Sequence, residues 1–455
     1  MKDSGKIISG EILGRVERME IKGVSIDSRT IKEGELFVAI KGDRFDGHDF
    51  VPEAIKRGAW GAIVERSALE SKYASLGGLK NIIAVEDTLH SLQEMSAAHR
   101  KKFSLPLVGI TGSNGKTTTK EMLACILRQK GPVLKNEGNL NNHIGVPLTL
   151  MGLNAGHKTA VVEMGMSGPG EIKMLTRLVM PTVGVITNIG PAHLEFLGSM
   201  DMVVQAKGEL LENMEPNSIV VLNADDRYFE ALKTKFNGSM ITFGIDNPAD
   251  VTAVDIRQEK NITDFNIRSG DSAVRVRLQA VGRHNVYNAL AAAAAALAVG
   301  MPLESVKYGL EDFSPIAMRS ELKQIKGRLV LEDCYNANPR SMEAALDTLV
   351  SLRQGGKIIA VLGDMLELGE ASGDAHRAIG AAAARLGVDL LITVGPLSKL
   401  IGDGAREAGM PRERVVGARS NADAAAILRE RSQNGDVILI KGSRAVKMEK
   451  ILEEF

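Results

Sequence analysis

The sequence predicts an α/β protein of three domains, with mostly parallel sheets in the second and third. Three observations lead there. At 455 residues the chain is too long for one usual core and suits about three domains. Apolar runs of strand length alternate with helical periodicity through most of it, the pattern of parallel strands wrapped by helices. A glycine-rich loop, Thr111-Gly112-Ser113-Asn114-Gly115-Lys116-Thr117-Thr118-Thr119, stands between one such run and one such helix.

Near the N-terminus, strands over Glu35 to Ile40 and Trp60 to Glu65 flank a helical stretch from Phe50 to Arg57, a small α/β unit. A charged helix, Ser91 to Lys102, leads out of it, so the first boundary falls near 103. Strands over Leu105 to Ile110, Lys158 to Met164, Thr182 to Thr187 and Ser218 to Leu222 follow, with helices between them. The stretch Asn247 to Ala280, rich in β-branched residues, reads as antiparallel strands, and the alanine-rich run Ala289 to Val299 as a closely packed helix. Phe313-Ser314-Pro315-Ile316 marks the second linker. Strands restart at Arg328 to Glu332, Lys357 to Leu362, Asp389 to Val394 and Asp436 to Ile440, a doubly wound third domain. The domains are therefore 1–103, 104–316 and 317–455.

The loop is built to hold phosphate. Its glycines let the backbone curl so that N–H groups and the helix N-terminus face phosphate oxygens, while Lys116 brings a point charge and Thr117 a hydroxyl for Mg²⁺. It is the shorter T-G-x-x-G-K-T form, since Ile110 stands where the longer pattern has glycine. Glu163, ending the strand Ala160-Val161-Val162, is a carboxylate placed to meet that Mg²⁺, which takes only one or two carboxylates.

Composition narrows the function classes. The 56 basic and 56 acidic residues cancel, so no overall field draws the chain to nucleic acid or to an anionic membrane. Hydrophobic content of 44% and charged content of 25% are ordinary for a soluble globular protein. Cys125 and Cys334 have no metal-type spacing and suggest no disulfide framework, which fits a reducing cytosol. Met1 to Gly10 lacks the apolar core of a signal peptide, and no run reaches the roughly 18 apolar residues of a membrane span. The expected location is the cytoplasm, with no membrane or nucleic-acid partner.

The segment Thr187-Asn188-Ile189-Gly190-Pro191-Ala192-His193, followed fourteen residues later by Lys207, resembles the Mur ligases, ATP-dependent amide-forming enzymes of peptidoglycan precursor synthesis. The resemblance implies that His193 and Glu163 bind a second Mg²⁺ and that a carbamylated Lys207 helps place the metals. Thr117, Glu163, His193 and Lys207 are then the metal set, and Lys116, Glu163, His193 and Lys207 the catalytic one. Gly112, Ser113, Asn114, Gly115, Lys116, Thr117 and Thr118 would cradle ATP. Gly282-Arg283-His284-Asn285-Val286-Tyr287-Asn288-Ala289 is similar to the family segment whose asparagine faces adenine, which assigns Asn288. Arg319 takes the ATP-phosphate contact made on domain closure, although Ala317-Met318 stand where the family usually has Gly before Arg. Asp333-Cys334-Tyr335-Asn336-Ala337-Asn338-Pro339 is similar to the signature by which the third domain reaches ATP, through Asp333 and Asn336.

Which member of the family is set by the remaining motifs. Gly23-Val24-Ser25-Ile26-Asp27-Ser28-Arg29 and Asp46-Gly47-His48 resemble the two later enzymes, implying that Ser28 and Arg29 hold the UDP end, with Gly47 and His48 nearby. Asn139-Leu140-Asn141-Asn142-His143-Ile144-Gly145-Val146-Pro147 resembles the members that add D-alanyl-D-alanine. There Asn141 and Asn142 can pair their amides with sugar or peptide carbonyls. Gly363-Asp364-Met365-Leu366-Glu367-Leu368-Gly369, with His376 and Lys441-Gly442-Ser443-Arg444, fits the same type. The implied partners are UDP-N-acetylmuramoyl-tripeptide and D-alanyl-D-alanine, the cofactors ATP and Mg²⁺, and the state a monomer. The three domains would bind the UDP-muramoyl substrate, hold ATP on the P-loop, and supply a Rossmann-like ligase lobe. A third-residue-adding Mur ligase, a folylpolyglutamate-type synthetase and a P-loop switch without ligase activity are the alternatives. The Asn139 to Pro147 run speaks against the first two.

Overall fold

The computed structural model describes residues 11–13, 21–72 and 81–455. The segment Met1 to Gly10, on which the reading against a signal peptide rests, lies outside them. Among the described residues the strands form three sheets.

The first has the order β1-β5-β4-β3-β2, from β1 (Glu11–Leu13), β2 (Gly23–Ser25), β3 (Glu35–Val38), β4 (Gly61–Glu65) and β5 (Ile82–Val85). It is parallel except for β1. Strand residues point alternately to its two faces, and both faces are covered. Leu36, Val38, Ile63, Ile83 and Val85 pack with Leu92 and Met95 of the helix Thr88–Arg100. Phe37, Ala39, Ala62, Val64 and Ile82 pack with Val51 and Ala54 of the helix Val51–Lys56. The helix expected from Ser91 begins three residues earlier, because the Asp87 side chain accepts from the His90 N–H and caps it.

The second sheet runs β14-β13-β12-β11-β10-β9-β6-β8-β7. Its strands are β6 (Leu107–Thr111), β7 (Val133–Lys135), β8 (Thr159–Glu163), β9 (Val183–Ile186), β10 (Ile219–Asn223), β11 (Ser239–Gly244), β12 (Val251–Glu259), β13 (Ile262–Ser269) and β14 (Ser272–Leu278). The expected antiparallel stretch is present as β12 to β14, joined to the sheet by a parallel pairing of β11 with β12. The alanine-rich helix runs over Arg283–Ala298 and packs against the helix Lys116–Leu127 that follows the glycine-rich loop. Alanine suits a helix enclosed on all sides, and Ala291 to Ala296 are fully buried. The helix Leu303–Glu311 also approaches Lys116–Leu127 closely, since a Cβ on Gly309 would lie 2.3 Å from Ile126 Cα.

The third sheet has the order β15-β16-β20-β17-β18-β19. It comprises β15 (Glu321–Ile325), β16 (Arg328–Glu332), β17 (Ile358–Gly363), β18 (Leu390–Val394), β19 (Val415–Ala418) and β20 (Val437–Lys441), parallel except for β15. Apolar clusters cover both faces, one around Leu331, Ala360, Leu362 and Leu439, the other around Val330, Ile359, Val361 and Ile438. This is the doubly wound arrangement the sequence predicts.

By compactness the chain falls into two units, one of residues up to 109 with 131–165 and 173–182, the other of 110–130, 166–172 and 183–455. The glycine-rich loop and the third sheet share the second unit. Among the described residues no helix is long and apolar enough to cross a membrane.

Candidate active site

The loop leaves β6 and enters the helix Lys116–Leu127, whose N-cap Gly115 is left-handed at φ 80°. Gly112 has φ 146°, and a Cβ there would sit 1.9 Å from Thr187 Oγ1; one on Gly115 would sit 2.1 Å from Asn288 Oδ1. Both glycines are thus required by conformation and by close approach. Lys116 Nζ donates to the Gly112 carbonyl at 2.8 Å and lies 3.3 Å from that of Ser113, so the ammonium lies along the loop. Thr117 is buried in the first helical turn and Thr118 half-buried beside it, where the helix presents its positive end to an anion. Gly115→Ala is expected to destabilise the fold by about 1–3 kcal/mol and to weaken nucleotide binding. Thermal unfolding and calorimetric titration with ADP check this; parental values in both would contradict it.

Asn288 comes to the loop from the alanine-rich helix. Its Nδ2 donates to Asn285 Oδ1 at 3.1 Å, and Asn285 Nδ2 donates to the Val281 carbonyl at 2.8 Å. That relay turns Asn288 Oδ1 toward Gly115. The helix N-cap is Gly282, so Asn285 orients Asn288 instead of capping.

The segment after β9 backs the loop from below. The Ser113 N–H donates to the Asn188 carbonyl at 2.9 Å, and Ser113 Oγ donates to the Gly190 carbonyl at 2.9 Å while accepting from the Gly190 N–H at 2.8 Å. Asn188 Oδ1 accepts from the Asn114 N–H at 3.1 Å, and its Nδ2 donates to the Asn114 carbonyl at 3.0 Å. Asn188 enters the sequence reading only as a member of the Thr187 to His193 motif, and its part in shaping the loop is a structural finding.

The third domain reaches the same loop through the helix Pro339–Ser351. Asn338 caps it in a capping box, its Oδ1 accepting from the Ser341 N–H at 2.9 Å. Asn338 also exchanges amide hydrogen bonds with Asn114, at 2.8 Å in one direction and 3.3 Å in the other. Arg340 Nη1 donates to the Ile189 carbonyl at 2.8 Å and lies 3.4 Å from Asp226 Oδ2, which accepts the Ile189 N–H at 2.7 Å. Asp333 is engaged within the third domain, by the buried Lys441 at 2.6 Å and by the Ser320 N–H at 3.1 Å. Asn336 gives its carbonyl to Lys441 at 3.0 Å. The Arg319 guanidinium lies over the Tyr335 ring, 3.9 Å from its centroid. Of the Asp333 to Pro339 heptad, then, it is Asn338 that touches the loop. Its signal was legible as Asn-Pro-x-Ser, a helix start.

His193 is left-handed, φ 57°, at the start of the short helix Leu194–Leu197, and its Nδ1 lies 2.7 Å from Glu367 Oε2. That hydrogen bond holds the Glu367 carboxyl below its ordinary value. Lys207 lies in the helix Met200–Glu212 and is 1% exposed, with no ion pair or hydrogen bond from its ammonium among the described residues. Burial, reinforced by the Lys116 charge, pushes its pKa well below the lysine range.

In the first unit Glu163 ends β8 and is 2% exposed. Asn141 Nδ2 donates to Glu163 Oε1 at 2.9 Å, and Asn136 clamps the Glu163 main chain, donating to its carbonyl at 2.8 Å and accepting its N–H at 2.9 Å. Asn142 Oδ1 accepts the Ile144 N–H at 3.1 Å and the Gly145 N–H at 2.9 Å, where the chain enters the helix Gly145–Met151 behind its N-cap residue Ile144. Asn141 thus orients a carboxylate, and the buried Asn136 has a role the sequence did not suggest. Ser28 is buried with its Oγ 3.4 Å from Glu53 Oε2, while Arg29 is exposed and forked by Asp27 at 2.9 and 2.7 Å. The Arg29 hydrogen bonds hold the Asp27 carboxyl at about 2. His48 is buried; its Nε2 accepts the Glu65 N–H at 2.9 Å, so Nδ1 carries the proton and donates to Asp46 Oδ1 at 2.6 Å. A Cβ on Gly47 would lie 2.6 Å from the Ile40 main chain. These bonds make His48 an anchor for the Asp46-Gly47 turn. Among the described residues no group of three or more His, Cys, Asp or Glu could hold a metal.

A glycine-turned loop between strand and helix, met by a helix start from a second α/β domain, defines a P-loop nucleotide-using enzyme. The chain belongs to the Mur ligase family. It matches the "Mur ligase family, catalytic domain" over residues 20–100, the "Mur ligase middle domain" over 110–296 and the "Mur ligase, glutamate ligase domain" over 318–444. It is 35% identical over 456 aligned residues to the UDP-N-acetylmuramoyl-tripeptide–D-alanyl-D-alanine ligase of Bacillus subtilis (strain 168), covering 100% of this chain and 97% of that one. A crystal structure of MurF from Acinetobacter baumannii matches with TM-score 0.88 and 33% identity over 97% of this chain and 94% of that one. MurF from Thermotoga maritima in complex with ADP matches with TM-score 0.84 and 31% identity over 96% and 97%. The protein is accordingly an ATP-dependent ligase.

Proposed function

We propose that this ligase joins D-alanyl-D-alanine to UDP-N-acetylmuramoyl-tripeptide at the expense of ATP, a step of peptidoglycan precursor synthesis. Full-length likeness to ligases named for that substrate pair supports the reading. The observation that carries it is the Asn338–Asn114 contact, because a third domain meeting the phosphate loop can bring an amine to a carboxyl activated there.

The tripeptide carboxylate attacks the γ-phosphate of ATP, releasing ADP and leaving an acyl phosphate. The dipeptide amine then attacks the acyl carbon, and inorganic phosphate leaves as the amide forms. Residues 112–118 cradle the phosphates, and Lys116 offsets the repulsion between carboxylate and phosphate, so positioning and electrostatics carry the rate. Asn288 faces adenine, and Arg319, Asp333 and Asn336 serve the nucleotide from the third domain. Ser28, Arg29, Gly47, His48, Asn141 and Asn142 shape the UDP-muramoyl peptide site. Docking of the third domain excludes the water that would hydrolyse the acyl phosphate.

Mg²⁺ would be held by Thr117, Glu163, His193 and Lys207, where it would neutralise phosphate charge. A hydroxyl and a carboxylate are ligands Mg²⁺ accepts, and burial shifts Lys207 toward the neutral amine, the form that would add CO₂ to give an oxygen-bearing carbamate with loss of a proton. Domains 1–103, 104–316 and 317–455 carry the substrate, ATP and ligase roles, in a cytoplasmic monomer.

ADP release is expected to require both UDP-muramoyl-tripeptide and D-alanyl-D-alanine, measured with the purified chain and precursors of different peptide length. Equal turnover with a dipeptide precursor and a single amino acid would overturn the assignment. Nucleotide hydrolysis indifferent to either substrate would favour a switch.

A further inference from the structure

One side chain of the Gly363 to Gly369 segment has no part in the chemistry above. It is Glu367, which reaches from the third domain to His193, with Oε2 2.7 Å from Nδ1. The main chain repeats the link, the Glu195 N–H donating to the Glu367 carbonyl at 3.1 Å. Both partners hold left-handed backbones, φ 57° at His193 and 62° at Glu367, a region non-glycine residues rarely enter. Gly369, at φ 55°, comes so near that a Cβ would lie 3.2 Å from Glu195 Cα. The segment is rigidly based. Met365 and Leu368 belong to the third-domain core, the Met365 N–H donates to His376 Nε2 at 3.0 Å, and the Leu366 N–H donates to Ser443 Oγ at 2.9 Å.

A carboxylate only accepts, so His193 Nδ1 carries the proton, an arrangement that in the neutral ring leaves the lone pair on Nε2. We propose that Glu367 is a positioning residue for ligation, fixing His193 as the Nδ1–H tautomer with Nε2 available to metal, and doing so only while the third domain is docked. The proposal rests on the reading of His193 as a metal ligand. Histidines that bind metal commonly pass their other N–H to a carboxylate. Here that carboxylate belongs to a different domain, so docking of the amine-delivering lobe and completion of the metal ligand become one event.

The test uses the full chain. Nitrogen-15 spectra of labelled histidines, with His193→Gln to assign the signal, are expected to show Nδ1–H in the parent and a shift toward Nε2–H, the tautomer a free imidazole prefers, in Glu367→Ala. Affinity for Mn²⁺ in the presence of a non-hydrolysable ATP analogue is expected to fall ~10-fold in Glu367→Ala. Glu367→Gln, whose side-chain oxygen still accepts from Nδ1, should retain most of both signatures. The Glu367 side chain is 46% exposed, so neither variant disturbs a core, and thermal unfolding verifies that. An unchanged His193 signal in Glu367→Ala overturns the proposal. So does parental Mn²⁺ affinity in Glu367→Ala when His193→Gln has lost it. If His193→Gln itself binds Mn²⁺ like the parent, the metal-ligand reading fails and takes the proposal with it.

Discussion

Lys116→Ala is expected to lower the ligation rate by a factor on the order of 10² or more while leaving the fold intact. The ammonium donates to the Gly112 carbonyl at 2.8 Å, which keeps it beside the positive end of the Lys116–Leu127 helix. A phosphate cradled there meets both fields together, and the transferring phosphoryl group carries charge that nothing else in the loop offsets as a full unit. The side chain is half-buried and belongs to no apolar cluster, so its removal leaves packing alone. Lys116→Arg is not a conservative rescue, because a planar fork replaces a compact charge in a loop closed by Gly112 and Gly115. Steady-state ADP release and thermal unfolding, measured together, check this. Parental turnover in a folded Ala variant would remove Lys116 from the chemistry.

The parts legible in sequence were those with a short-range physical signature. The core strands β17, β18 and β20 are near-continuous apolar runs, broken only by Thr393 and the terminal Lys441, because both faces of the third sheet are covered, and such runs read directly. β15, Glu-Leu-Lys-Gln-Ile, was not seen, since an edge strand half in water carries polar residues. It turns into β16 at Lys326 and Gly327, with φ 46° and 77°, a two-residue hairpin without the usual Asn-Gly marker. In the site, Gly112 and Gly115 announced the loop because their positive φ leaves few other residues possible. The Asn114–Asn338 pair joins residues 224 positions apart, and no local pattern encodes that distance. Arg340 on Ile189 and Asp226 is hidden for the same reason. Family resemblance named His193 and Lys207, but only the fold reveals the burial of one and the Glu367 partner of the other.

Lys207→Ala is expected to lose most activity and to regain part of it when a small carboxylic acid is added to the buffer. A free lysine amine, with pKa near about 10.4, is a cation at neutral pH and would be repelled by Mg²⁺ and by Lys116. The structure weakens that cation further. Lys207 is fully enclosed, and burial and the Lys116 charge both shift it toward the neutral amine. In the proposed site, addition of CO₂ to that amine would reverse the sign of the group and offer oxygen to a hard cation. A carboxylic acid can stand in the space vacated by the alanine variant, since it brings the same charge and donor atoms. Lys207→Arg should do no better than Ala, because it keeps a cation that adds no CO₂ and forces a larger head into a closed site. Activity of the Ala, Arg and parent chains across a series of carboxylic acids measures this. An Arg variant as active as the parent would show that Lys207 needs only its positive charge, and the carbamate would have no part in ligation.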